Sequence, residues 1–82
     1  MSTQYMVIEV IEREISDPTY HKNLEAAQAK MQELARQALG VDENATVEEL
    51  METIQNYDGD MDETSGYCTR HGQNYDWKIF KI

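Results

Sequence analysis

The chain has 82 residues, a single cysteine and a formal charge of −9, from sixteen Asp and Glu against seven Lys and Arg. That length allows one domain with one small core, and a lone Cys68 excludes an internal disulfide framework and fits a reducing compartment. The acidic balance excludes direct binding to nucleic acid or to anionic membranes, because both need clustered Lys and Arg; it favours basic partners or divalent cations.

Residues Tyr5–Ile15 read as a strand. Met6, Ile8 and Val10 alternate onto one face, with Val7 and Ile11 on the other. The charged run Glu12-Arg13-Glu14 should carry the strand out of the core, and Val7 and Ile11 suggest partial cover of the second face, for example by a partner subunit. Ser16-Asp17-Pro18 reads as a helix start, with Asp17 accepting from the first free N–H groups and Pro18 at the position that needs no donor. The helix should run to Leu39 and stop at Gly40. Its apolar positions Tyr20, Leu24, Ala27, Met31, Leu34 and Ala38 follow a 3.5-residue repeat. Such a stripe fits a helix laid on a sheet or another helix, and also the seam of a dimeric coiled coil.

Gly40–Ala45 is a connector. Thr46-Val47-Glu48-Glu49 is a capping box that opens a second, short helix to about Tyr57. Val47, Leu50, Met51 and Ile54 form its buried stripe, and Glu48, Glu49 and Glu52 fall on the other side. Asp58–Ser65 reads as a loop. Gly66–Arg70 and Tyr75–Ile82 read as a closing hairpin turning within His71–Asn74. Tyr75, Trp77 and Ile79 share one face of the last strand; Lys78, Phe80 and Ile82 share the other. The expected architecture is a single α+β domain over residues 1–82, in the order β-α-α-β-β: a three-stranded antiparallel sheet with both helices packed on one face.

Chemistry-bearing residues concentrate in one stretch. Asp42–Glu63 holds nine carboxylates and no Lys or Arg, whereas the rest of the chain has seven acids and seven bases. The whole net charge therefore lies in 22 residues. Glu43, Glu48, Glu49 and Glu52, extended by Asp58, Asp60, Asp62 and Glu63, are the candidate partner-binding residues. An array of carboxylates can occupy a Lys- and Arg-lined groove in place of phosphates, so a nucleic-acid-binding protein is a fitting basic partner. The alternative for the same stretch is a divalent-cation site on Asp58, Asp60 and Asp62, whose spacing resembles the first half of an EF-hand loop. That loop departs from the pattern at Glu63, where Gly is wanted, and at Thr69, where a bidentate Glu is wanted.

Cys68 and His71 give half a zinc site at C-x-x-H spacing. Cys68 with His71 or His21 could be drawn as a nucleophile and base, but no Gly-rich oxyanion turn lies nearby. The expectation is a non-enzymatic protein without cofactor, a monomer or a homodimer. No apolar run approaches the ~20 residues that span a bilayer, and MSTQYMVIEV lacks the basic and apolar regions of a leader. The expected compartment is the cytoplasm.

The terminal strand Tyr75-Asp76-Trp77-Lys78-Ile79-Phe80-Lys81-Ile82 closes a very short, acidic chain that opens on a strand. In that style, over its whole length, the chain resembles the small accessory proteins of bacteriophages and mobile elements. That class includes anti-CRISPR proteins and other host-takeover inhibitors, some of them acidic mimics of nucleic acid. The resemblance implies an inhibitor or adaptor rather than an enzyme.

Overall fold

The computed structural model describes residues 4–82. Residues 1–3, which open the stretch read above for a leader, lie outside the described residues. The elements in chain order are β1 (Tyr5–Ile11), β2 (Glu14–Ile15), β3 (Thr19–His21), α1 (Leu24–Leu39), α2 (Val47–Asn56), β4 (Asp60–Met61), β5 (Ser65–Arg70) and β6 (Gln73–Lys81). The strands form one six-stranded antiparallel sheet in the order β2-β1-β6-β5-β4, with β3 also paired to β1. This contradicts the expected three-stranded β-α-α-β-β sheet. Three further strands of two or three residues line its edges, too short to leave a period in the sequence.

Two of the extra strands come from the stretch read as the end of one strand and the start of a helix. The chain turns at Glu12 and Arg13, both left-handed with φ of 49° and 73°, as a two-residue turn between twisted antiparallel strands requires. Neither residue type signals such a turn. Glu12 is held there from across the sheet: its N–H donates to the Asn74 carbonyl at 3.0 Å, and its carboxylate accepts from the Asn74 N–H. The chain then returns along β1. Ile15 faces Val10, the Ser16 N–H donates to the Glu9 carbonyl at 2.9 Å, and Thr19–His21 lies opposite Tyr5–Val7. Pro18 has no N–H to give to a ladder, so it interrupts this edge rather than opening a helix.

The first helix starts later, at Asn23, whose Oδ1 accepts from the Ala26 N–H at 2.8 Å. It stops at Gly40, φ 67°, the left-handed conformation expected there. Thr46 caps α2 as expected, accepting from the Glu49 N–H at 3.2 Å.

α1 buries Ala27, Met31, Ala35 and Leu39. These fall every fourth residue, one ridge of the helix surface. Tyr20 lies outside the helix, and Leu34 and Ala38 are only half-buried. The stripe read as a possible dimer seam is thus taken up by the chain's own sheet, through contacts with β1, β3 and β6. α2 adds Leu50 and Ile54 and packs on β4 and β5.

The sheet contributes Val7, Met61, Cys68, Tyr75, Trp77 and Ile79. Tyr75, Trp77 and Ile79 share a face as expected. The register places Val7, Glu9 and Ile11 opposite Ile79, Trp77 and Tyr75, and opposed residues share a face. Val7 is therefore the core residue of β1, and Met6, Ile8 and Val10 lie on the far side, the reverse of the expected orientation. Glu9, a carboxylate on the core face, accepts from the Trp77 indole N–H at 2.8 Å. That bond satisfies the donor of a fully buried side chain.

Candidate acidic binding surface

Capping fixes the start of α2 and burial of Leu50 and Ile54 fixes its rotation. Glu48, Glu49 and Glu52 are then turned outward, and all three are exposed. Their neighbours Val47 and Met51 line a cleft of about 340 Å³ shared with Met31, Met61, Asp62 and Glu63. Glu48 and Glu52 each follow one of these two residues, about 100° further round the helix. Glu48 and Glu52 thus lie beside a cleft that Asp62 and Glu63 line, with methionines at its base, whereas Glu49, about 160° round from Val47 and Met51, points away from it.

The other candidates are less closely gathered. Glu43 precedes α2 and Asp58 follows it, so about 15 Å of helix separates them and the acids form a strip. Asp60 faces away from the helices: it pairs in register with Tyr67, whereas the adjacent Met61 faces the core. All eight candidate carboxylates are exposed. Among the described residues the one salt bridge joins Lys30 to Glu33, at 3.6 Å, and it involves none of them.

Two nearby cations that could offset the charge are engaged otherwise. Arg36 donates to the Ala45 carbonyl and Arg70 to the Ala38 carbonyl, each at 2.9 Å. Arg70 also lies over the Tyr57 ring, 5.7 Å from its centre. Both cations lie where the last carbonyls of α1 make the potential negative.

The turn after α2 is shaped by close backbone contact. Asp58 is left-handed at φ 59°. A Cβ on Gly59 would stand 2.0 Å from the Tyr67 carbonyl oxygen, so only glycine lets the chain pass so close to β5. One Asp62 oxygen accepts from the N–H groups of Thr64 and Ser65 and from the Ser65 hydroxyl, at 2.8–3.2 Å. The two backbone bonds, first among the causes, hold its carboxyl below the ordinary aspartate value of 3.8. Asp60 accepts from the N–H of Met61 at 2.9 Å. No group of three or more Asp, Glu, His or Cys that could hold a metal ion occurs among the described residues; Asp58, Asp60 and Asp62 do not converge.

Cys68 is buried in the core. Burial, helped by the Asp76 charge and opposed by Arg70, pushes its thiol up to about 11, away from the thiolate that a nucleophile needs. His71 sits in the β5–β6 turn at φ 52°, and His21 shares a hydrogen bond with the Thr19 hydroxyl at 2.9 Å. No helix among the described residues is long and apolar enough to cross a membrane.

Sequence reasoning missed the cleft. Its signal was present in Val47 and Met51, one turn apart and both assigned to the core. Val47 is in fact exposed and Met51 only half-buried. The chain matches no protein-family model, no curated protein and no solved structure.

Proposed function

We propose that the protein binds a basic protein surface through the carboxylates around α2, as an adaptor or inhibitor without chemistry of its own. The observation that carries this reading is the uncompensated charge: eight exposed carboxylates with no salt bridge to any of them among the described residues. An Arg- and Lys-lined groove that ordinarily holds phosphates is the surface such a strip fits best. Glu48, Glu49 and Glu52, held on a capped helix, make the central contacts, and Asp62 and Glu63 extend them across the Met-floored cleft. Asp60, on the opposite side of the sheet, lies outside this contact.

The test is capture from a bacterial lysate at low and high salt, comparing the wild type with E48Q/E49Q/E52Q. These changes keep side-chain shape and remove three charges. Exposed ion pairs are worth about 0.2–1 kcal/mol each, so binding should weaken roughly three- to hundredfold. A basic protein held by the wild type at low salt and lost from the variant is the expected result. The same proteins retained by both forms at both salts would overturn the reading.

A further inference from the structure

Among the described residues, no layer lies over one side of the sheet. Both helices pack on the face that carries Trp77. The opposite face presents Met6, Ile8 and Val10 of β1 beside Phe80 of β6, Tyr67 of β5, Ile15 of β2 and Tyr20 of β3. Ile15 is 69% exposed, Tyr20 58%, Tyr67 53% and Phe80 44%. Ile8, Val10, Ile15 and Phe80 line a groove of about 420 Å³ with Asp76 and Lys78. Single exposed apolar residues are ordinary, but a continuous patch across a sheet marks an interface.

We propose that this face packs against the same face of a second copy of the chain, about a two-fold axis that crosses β6 at Trp77. Three observations select a second copy. The first is extent: the open face runs across the strands in the order β2-β1-β6-β5-β4, about 4.8 Å per strand, a broad surface of the kind that a standard interface of roughly 800 Å² per partner needs.

The second is charge. The groove holds one cation and one anion, Lys78 and Asp76, both exposed and in no salt bridge among the described residues. They stand one on each side of Trp77 in the same strand. An in-plane two-fold axis at Trp77, across the strand, sets Asp76 of each copy opposite Lys78 of the other. Beside them on β1, Ile8 is level with Lys78 and Val10 with Asp76, so Ile8 meets Val10 across the same axis. An isologous interface needs this self-complementarity.

The third is where the remaining charge goes. With the open faces together, the helix layers point outward. The α2 carboxylates of the two copies then lie on opposite outer sides, with two sheets stacked about 10 Å apart and both cores between them, beyond the Debye length of about 8 Å at physiological salt. Dimerisation leaves the α2 carboxylates of both copies free.

Sedimentation velocity over a wide concentration range tests this, with circular dichroism confirming that each variant is folded. The wild type should sediment at twice the 9.5 kDa of one chain. D76K and K78D should each raise the dimer dissociation constant about tenfold or more, since each sets like charges face to face. The double variant D76K/K78D should restore it, and I15E should weaken the dimer without changing the fold. A wild type that stays monomeric at the highest concentration overturns the proposal. So does a monomer that captures a different protein through this face, sensitive to I15E. A dimer indifferent to I15E and to both charge reversals, or a double variant no more dimeric than the singles, overturns the face and its register.

Discussion

At the scale of single residues, Glu9 shows how a charged side chain can belong to a core. Its carboxylate is the acceptor for the only tryptophan of the chain, whose ring is fully buried. Removing it leaves a buried indole N–H without a partner. Glu9→Ala should therefore cost about 1–3 kcal/mol, read as a lower urea midpoint followed by Trp77 fluorescence. Asp62 adds a pH dependence of defined sign. Its carboxyl is held below the ordinary 3.8 by the Thr64 and Ser65 N–H groups. The stabilisation is then present above that value and is lost as pH falls through the depressed one. Asp62→Ala should lower the melting temperature at neutral pH and make the acid limb of the stability curve shallower. Cys68 behaves as a core residue, its thiol pushed up to about 11. Iodoacetamide at pH 8 should leave it unmodified in the folded protein and label it once the chain is unfolded in urea. Rapid native labelling would contradict the burial argument.

At the scale of elements, the clearest constraint is at Gly59, where the chain leaving α2 crosses close to β5. A methyl group there meets the Tyr67 carbonyl and the Cys68 Cα and Cβ at 2.0–2.7 Å. The backbone would have to move, so Gly59→Ala should destabilise by about 1–3 kcal/mol, measured by thermal unfolding. What could be read from the sequence divides along the same line between local and long-range causes. The end of α1 at Gly40, the Thr46 cap and the inward face of β6 were legible, because each is set within a few residues by a cap or an alternation. The Glu12-Arg13 turn was not legible, since its left-handed residues are held by Asn74, far along the chain. Pro18 was misread because a proline serves a helix start and an interrupted edge strand equally well. The face of β1 could not be decided locally, because Met6, Val7, Ile8, Val10 and Ile11 are apolar on both sides. Register with β6 decides it, by setting Val7 opposite Ile79. β4 covers only Asp60 and Met61, too few to show a period, and it hid inside an apparent loop.

At the scale of the whole molecule, the fold separates two surfaces with different physics. One is a strip of carboxylates around α2, legible from the charge segregation except that Asp60 faces the other way. The other is the apolar outer face of the sheet, whose groove bears Lys78 and Asp76 and whose β4 edge carries Asp60. Binding at the first should weaken as salt rises, whereas association through the second rests largely on apolar area. The account turns on whether the strip carries the binding. The measurement that tests it most directly is the affinity for the lysate protein captured at low salt, titrated against salt for the wild type and for E48Q/E49Q/E52Q. The predicted result is a wild-type affinity that falls steeply as salt rises, with the variant weaker at low salt and less salt-dependent. Equal affinities and equal salt dependence in the two forms would contradict it and leave the acidic strip without a role in recognition.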